Sequence, residues 1–191
     1  MGLTALFFAA CQANSPPVMY YSLLDTDSPH RQVQQSNGLI LSIGPVLISD
    51  MLKQPRIATG GARGQYQLSE YNRWIGELDH EIGRAVAENL SAILGTEQVA
   101  VFPWDQHLNV TCRVHLEVLA MDGDLGAEAK LVVRWSLIIP KGQTPETLSR
   151  RSELKEQTED GSYASWVNAQ QHNIRRLSDA IAASIRENIY P

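Results

Sequence analysis

The clearest structural pattern in the sequence is Val110-Thr111-Cys112-Arg113-Val114-His115-Leu116-Glu117-Val118, in which every second residue is apolar. A second alternation follows the turn Asp122-Gly123-Asp124-Leu125-Gly126, with apolar residues at every second position from Ala129 to Ile139. Strands with one buried face have this period of two, and an Asp/Gly turn between two such runs is typical of an antiparallel hairpin. The sequence therefore predicts a hairpin within residues 108–139.

Shorter apolar or β-branched runs on both sides of the hairpin predict further strands. They cover residues 20–24, 39–48, 56–59, 65–68 and 99–102, and a polar edge strand is predicted over 151–158. Gly44-Pro45 interrupts the second run, which indicates a strand end, a bulge or a sheet edge, because proline cannot donate to a strand ladder.

Two segments have the three- and four-residue spacing of an amphipathic helix. In the first, apolar residues recur from Trp74 to Leu94, with Ser69 as a candidate N-cap and Gly95 as a candidate C-cap. The second runs from Trp166 to Ile185. Both helices are half polar, so each is expected to cover a sheet. We therefore predict an α/β fold: a single domain with a mixed β-sheet, in which a central antiparallel hairpin is flanked by two long amphipathic helices.

Composition limits the classes of function. The chain has 191 residues and a formal net charge of -5, with 19% charged residues. This charge argues against a general nucleic-acid binder, which would carry a basic stripe, and against binding to anionic lipid through charge alone.

The N-terminal segment resembles a lipoprotein leader. An apolar run ends in Phe8-Ala9-Ala10-Cys11, similar to the bacterial lipobox, in which the leader is removed before a cysteine that then carries acyl chains. Residues 1–10 are thus interpreted as a truncated signal peptide, 11–18 as a lipidated tether and 19–191 as one periplasmic domain. The alternative is a buried first element with an ordinary cysteine; a membrane-spanning helix needs about 20 apolar residues, more than this run offers.

The second cysteine, Cys112, has no intramolecular partner if Cys11 is acylated. It lies on the apolar side of its strand, so we interpret it as a small buried hydrophobic residue.

A search for catalytic and metal-binding motifs favours a protein that is not an enzyme. His80-Glu81 begins like a zinc-protease motif, but Arg84 stands where the second histidine would be needed. No nucleophile elbow is present, and the Gly60-Gly61-Ala62-Arg63-Gly64 loop lacks the residues of a phosphate-binding loop. We expect neither a metal nor a cofactor.

The four tryptophans differ in their expected roles. Trp135 and Trp166 fall on apolar faces and are predicted to be core residues. Trp104 follows a strand end and is a candidate for contact with a partner. For Trp74, burial in the core is favoured over a role at an interface.

Several short strings, taken in order, resemble the paraquat-inducible protein C-like auxiliary lipoprotein family of ABC-type transport systems. They are Leu41-Ser42-Ile43-Gly44-Pro45-Val46, Met51-Leu52-Lys53-Gln54-Pro55-Arg56-Ile57, Tyr71-Asn72-Arg73-Trp74-Ile75-Gly76-Glu77-Leu78, Val101-Phe102-Pro103-Trp104 and Leu177-Ser178-Asp179-Ala180-Ile181.

This resemblance implies an outer-membrane lipoprotein that faces the periplasm, and Gln12 after the cysteine fits that sorting. It implies an MCE-domain protein as the periplasm-spanning partner, lipids or other lipophilic molecules as cargo, a role in envelope integrity, and a homo-oligomeric ring. The candidate partner contacts are Pro55, Arg56, Trp74 and Trp104, together with the glycine loop.

Two other functions stay open on the sequence alone. An envelope lipoprotein that regulates a peptidoglycan synthase would have the same anchor and a similar domain. A hydrolase of lipid or glycan is also conceivable, because a dispersed Ser/His/Asp site leaves no local motif.

Overall fold

The computed structural model of the protein describes residues 15–25, 38–104, 109–142 and 144–189. Within these residues the chain forms eight β-strands, one 3-10 turn at Ala62–Gly64 and two α-helices. In chain order they are β1 Met19–Tyr21, β2 Leu41–Leu47, β3 Arg56–Gly60, β4 Tyr66–Trp74, α1 Leu78–Leu94, β5 Val99–Val101, β6 Cys112–Gly123, β7 Glu128–Ile139, β8 Glu146–Gln157 and α2 Tyr163–Ile189.

The predicted hairpin is confirmed as β6 and β7, which pair antiparallel with Leu116 opposite Trp135. The predicted polar edge strand is confirmed as β8 and is longer than expected, because it pairs with β7 along its whole length. Its outer face is charged, as an exposed edge strand requires if it is to avoid pairing with other chains.

The other side of β6 pairs with strands from the first half of the chain. Strand β2 runs parallel to both β6 and β5, and its register shifts between Ile43 and Val46, at the predicted Gly44-Pro45 break. Strand β3 meets β6 with Gly60 opposite Gly123, and β4 and β1 continue from β3. The sheet is therefore mixed, as predicted.

The two helices pack against each other and against one face of the sheet, and the core lies between these layers. Trp135 and Trp166 are buried in it, which confirms their predicted role. Cys112 is likewise a buried residue, and burial raises the pKa of its thiol to about 12. The opposite face of the hairpin carries polar cross-strand contacts such as the ion pair between Arg134 and Glu117. The predicted α/β class, with two amphipathic helices covering a mixed sheet, is confirmed.

The predicted start of the first helix is wrong. Residues 69–74 belong to β4, and α1 begins only at Leu78 after Glu77. The Ser69 hydroxyl does accept a hydrogen bond from the Asn72 backbone amide at 3.0 Å, but it does so within the strand. The predicted helix end is confirmed: Gly95 has a φ of 68° and its amide donates to the Ser91 carbonyl.

The first strand is shorter than predicted because the residues after it are held by the helices. The buried Glu81 carboxylate of α1 accepts hydrogen bonds from the Ser22 hydroxyl at 2.7 Å and the Leu23 amide at 3.2 Å. The Gln171 side chain of α2 donates to the Ser22 carbonyl at 3.0 Å. These contacts hold residues 22–24 against the helices.

The predicted signal peptide and the predicted acylation site, Cys11, lie outside the described residues. Of the predicted tether, residues 15–18 are described; they are exposed and belong to no helix or strand. Among the described residues, neither helix combines the length and apolar character needed to span a bilayer.

Candidate functional site

A groove of about 290 Å³ opens between the carboxyl ends of β2 and β5 and the first two turns of α1. Most of its lining is apolar, with Lys53, Asp79 and His80 at the rim. The remaining lining residues are Ile43, Gly44, Pro45, Val46, Leu47, Ile48, Gly83, Val101 and Phe102. We call this surface the β2–β5 groove.

Two large apolar side chains on the β2–β5 groove face solvent. Leu47 is 59% exposed and Phe102 is 46% exposed, although both follow strand residues that are at least half-buried. Single exposed apolar residues are common on protein surfaces, but neighbouring ones around a concave lining are typical of a binding site.

Gly44 allows the aromatic wall of the groove to pack closely. Its φ is +105°, and a Cβ atom there would lie 2.9 Å from Phe102 Cβ and 3.6 Å from the Trp104 ring. The Phe102 and Trp104 rings meet edge to face with centroids 5.2 Å apart. A residue with a side chain at position 44 would be strained and would displace Phe102, so the wall depends on this glycine.

The charged groups at the rim are paired locally. Lys53 Nζ lies 2.8 Å from Asp50 Oδ1, and this hydrogen bond raises the pKa of the lysine and lowers the pKa of the aspartate. His80 Nδ1 lies 3.6 Å from a Glu77 carboxylate oxygen. The groove therefore has an apolar floor and a rim of mixed charge.

Glu77, Asp79 and His80 bring three potential ligand atoms within 4.8 Å of one another. All three side chains lie at the start of α1, where acidic groups interact favourably with the helix dipole and the free backbone amides. The Asp79 carboxylate already accepts a hydrogen bond from the His80 amide at 2.9 Å. The position of the acidic side chains in this arrangement is accounted for by the helix dipole.

Of the predicted partner contacts, Trp104 lies beside the β2–β5 groove, where it is half-buried against Phe102. Of the two roles considered for Trp74, the structure supports the core and not the partner contact. Its side chain is only 4% exposed and packs on Trp166 with ring centroids 6.3 Å apart, so it is a core residue that offers no surface to a partner.

Pro55 and Arg56 lie at the start of β3, next to the end of β4. The Pro55 carbonyl accepts a hydrogen bond from the Trp74 amide at 2.8 Å, and Arg56 pairs in register with Arg73. Pro55 is exposed and Arg56 is half-buried. The turn before Pro55 connects this region to the β2–β5 groove, because Lys53 lines the groove while Leu52 packs near Arg56.

The predicted glycine loop packs against the end of the β6–β7 hairpin. Gly61 has a φ of +104°, and a Cβ atom there would lie 2.7 Å from an Asp122 carboxylate oxygen. Burial raises the pKa of the Asp122 carboxyl, against the opposing effects of Lys130 and of a hydrogen bond from Tyr66. Gly61 thus allows the loop between β3 and β4 to approach the end of β6 closely.

Sequence reasoning missed Leu47 and Phe102. Leu47 follows Pro45, and Phe102 precedes Pro103. Each residue stands at the end of a strand whose earlier residues are apolar. From the sequence, such a residue is interpreted as the last buried residue of its strand. The one signal of exposure was the neighbouring proline, because Pro45 and Pro103 interrupt the strand ladder.

Residues 21–182 match a family described as the ABC-type transport auxiliary lipoprotein component. The chain belongs to this family. The match runs from the last residue of β1 through most of α2, so it covers nearly all of the folded domain. Membership makes the protein an auxiliary lipoprotein component of ABC-type transport, and lipoproteins associate with membranes through their lipid.

Two solved structures have the same fold as this family member. One is an uncharacterized protein with 19% identity and a TM-score of 0.70, covering 89% of this chain and 99% of its own. The other is a Xanthomonas campestris protein with 14% identity and a TM-score of 0.65, covering 86% and 93% respectively. No curated protein is significantly similar to the chain. Since both identities are low, these structures establish the fold alone.

Proposed function

We propose that this family member is a non-catalytic component of an ABC/MCE-type system that moves lipids or other lipophilic molecules between membranes. Acyl chains on Cys11 hold the domain at the periplasmic face of the outer membrane. The domain then docks the periplasm-spanning MCE-domain protein and so supports envelope integrity. The observation that carries this proposal is the family match over residues 21–182.

The size of the β2–β5 groove favours a docking role over cargo storage. Sites for small molecules typically enclose about 300–1,000 Å³, and the groove lies just below that range. It is too small and too open to enclose a phospholipid with two acyl chains. Its volume suits a few apolar side chains from a protein partner.

We take the occupant of the groove to be an apolar segment of the MCE-domain partner. Phe102 and Leu47 provide exposed apolar area, and aromatic residues in well-packed surroundings carry much of the binding energy at protein interfaces. The polar side chains of Lys53, Asp79 and His80 surround this apolar centre as a polar rim does in a typical interface.

The anchor lowers the affinity that the groove must provide. A domain tethered to one membrane meets its partner at a raised effective concentration, so a modest interface suffices. The same tethering favours self-association, and we propose that several copies form a ring at the outer-membrane end of the partner.

Photo-crosslinking in intact cells tests the docking role. A photoreactive amino acid in place of Phe102 should capture the MCE-domain protein, and the same group in place of Leu119 should not. Leu119 is a suitable control because it is also an exposed apolar residue but lies on β6 outside the groove. Equal capture from both positions, or capture from neither, would contradict the proposal.

Cell fractionation tests the anchor. We expect the unaltered chain in the outer-membrane fraction and the Cys11→Ser chain in the soluble periplasmic fraction. Recovery of both chains with the same membranes would remove the basis for acylation at Cys11.

A further inference from the structure

Exposed apolar side chains concentrate around β1 and the end of β4. Among the described residues, nine large apolar side chains are exposed, and five of them lie here: Val18, Met19, Tyr20, Tyr71 and Ile75. Tyr20 is 59% exposed and Ile75 is 65% exposed. None of the five lines the β2–β5 groove, so they form a separate surface, which we call the anchor-side patch.

Strand pairing brings most of the anchor-side patch together. In the parallel pair of β1 and β4, Met19 lies opposite Asn72 and Tyr20 lies opposite Arg73. The Ile75 amide donates a hydrogen bond to the Tyr21 carbonyl at 2.9 Å, which fixes Ile75 at the end of the same pair. The exposed residues therefore come from two neighbouring strands. Because side chains alternate along a strand, Tyr20 shares a face with Tyr71 and Arg73, and Met19 lies on the other face at the sheet edge.

Two arginines adjoin the anchor-side patch. Arg73 is opposite Tyr20 on one side and opposite Arg56 of β3 on the other. Within the described part of the chain, neither guanidinium group has a carboxylate within 4.0 Å, and Arg73 Nε is buried without a hydrogen-bond partner. Two neighbouring arginines without a counter-charge favour an anion, and the guanidinium geometry suits phosphate.

The distance to the predicted anchor limits where the anchor-side patch can lie. Seven residue steps separate Cys11 from Val18, and an extended chain spans at most about 3.6 Å per residue. Val18 is therefore within about 25 Å of an acylated Cys11 in any conformation of the tether. The tether therefore joins the domain at the anchor-side patch, where most of the exposed large apolar side chains lie.

We propose that the anchor-side patch rests on the phospholipid surface to which the chain is tethered. Tyrosines are enriched at membrane interfaces, where the ring is partly buried and the hydroxyl stays hydrated. Val18 and Ile75 add apolar area to the lipid contact, and Arg56 and Arg73 face the phosphate groups. This inference rests on the acylation in the proposed function and adds an orientation: the membrane contacts β1 and β4, and the β2–β5 groove stays available to a protein partner.

The tether favours a lipid occupant for the anchor-side patch. An anchor that holds the patch within about 25 Å of the bilayer keeps the lipid surface permanently at high local concentration. The contact need not be strong on its own, which agrees with the small size of the patch and with the acidic net charge of the chain.

Site-specific labelling of the acylated full-length chain tests the orientation. An environment-sensitive fluorophore is attached to an Ile75→Cys chain, and to a Thr147→Cys chain as a matched control. Thr147 is exposed on β8, and strands β4, β3, β6 and β7 separate β8 from β1 in the order of pairing. Acylation blocks Cys11 and burial protects Cys112, so the introduced thiol is the one labelled.

The labelled chains are reconstituted in vesicles of phosphatidylethanolamine and phosphatidylglycerol that contain a nitroxide-labelled lipid. We expect a blue-shifted emission at position 75 and several-fold stronger quenching by the lipid nitroxide than at position 147. Adding Tyr20→Ser to the Ile75→Cys chain should weaken the quenching, while adding Leu119→Ser should leave it unchanged. Equal quenching at positions 75 and 147 overturns the orientation.

Two readouts separate the failure of this inference from the failure of the proposed function. If mass spectrometry finds the acyl chains on Cys11 but the label at position 75 stays aqueous, the orientation is wrong and the anchored docking role is unaffected. If Cys11 carries no acyl chain in cells, the proposed anchor fails and this inference fails with it.

Discussion

Cys112 illustrates how burial determines the chemistry of a single residue. Its side chain is fully buried, and burial raises the pKa of the thiol to about 12. The thiolate is the reactive form of cysteine, so a native chain at pH 8 offers almost none of it. In a Cys11→Ser background we expect negligible alkylation of Cys112 by iodoacetamide, measured by mass spectrometry, and full alkylation in denaturant. An added Thr147→Cys should react in both conditions; rapid alkylation of native Cys112 would contradict its buried position.

Asp122 offers a pH-dependent test at the end of the hairpin. Burial raises the pKa of its carboxyl above 3.8, so folding favours the protonated form. The folded state then binds more protons than the unfolded state in the range above pH 3.8, and stability falls as the pH rises through that range. We expect Asp122→Asn to be at least as stable as the unaltered chain at pH 7, since an amide keeps an acceptor for Tyr66 and carries no charge. Its advantage in melting temperature should shrink toward pH 4, and an advantage that grows there would contradict the raised pKa.

The sequence identified part of the candidate site at the residue scale. Trp104 follows a strand-ending Phe-Pro pair, and this pattern marks a position where the chain leaves the sheet. For Trp74 the sequence favoured the core but placed the residue at the start of a helix, whereas it ends β4. What decides its burial is the position of Trp166, which is 92 residues later in the chain.

At the scale of elements, Glu81 connects α1 to the segment that follows β1. Its buried carboxylate accepts hydrogen bonds from Ser22 and Leu23. Glu81→Ala leaves these donors without a partner, and an unsatisfied buried donor costs about 1–3 kcal/mol. We expect a loss of this size in the free energy of unfolding, measured with urea. Glu88→Ala, at an exposed position of the same helix, should change it by less than about 0.5 kcal/mol; equal effects would show that the Glu81 contacts contribute nothing.

The first helix shows where periodicity misleads. Trp74, Leu78 and Ile82 have helical spacing, so the pattern extends backward into residues that form β4. Two local signals favoured a strand: the tyrosines and tryptophan between Tyr66 and Trp74 have high β-propensity, and Gly76 disfavours a helix interior. The pairing with β1 and β3 then determines the outcome, and pairing partners cannot be read from the segment itself.

At the scale of the whole molecule, the sequence predicted the hairpin but not the order of the sheet. A hairpin is local, since its register follows from the alternation and from the turn. Two parallel pairs, β1 with β4 and β2 with β6, join strands that are far apart in sequence. Their contacts depend on the packing of both helices. The groove and the anchor-side patch both arise from such long-range pairs, so neither could be located before the topology was known.

The sheet divides into two parts that should differ in stability. Strands β6, β7 and β8 pair along most of their lengths, whereas among the described residues the branch of β3, β4 and β1 pairs with β6 only at Gly60 and Gly123. The branch of β3, β4 and β1 is therefore held to the rest of the domain by side-chain packing, such as that of Trp74 against Trp166. It can therefore open while the β6–β8 part stays folded, in the manner of a partial unfolding unit.

Hydrogen exchange of two matched variants tests this hierarchy. Trp74→Phe removes packing from the branch, and Trp135→Phe removes packing from β7; each should cost about 1–3 kcal/mol. Packing lost at Trp74 lowers the free energy of both the partial opening, which exposes β4, and the global unfolding, which exposes β7. Trp74→Phe should therefore speed amide exchange in both strands by about ten- to hundredfold. Trp135 stays packed when only the branch opens, so Trp135→Phe should speed exchange in β7 and leave β4 nearly unchanged. If both variants accelerate β4 equally, the domain opens as one unit, and the anchor-side patch is as firmly held as the rest of the sheet.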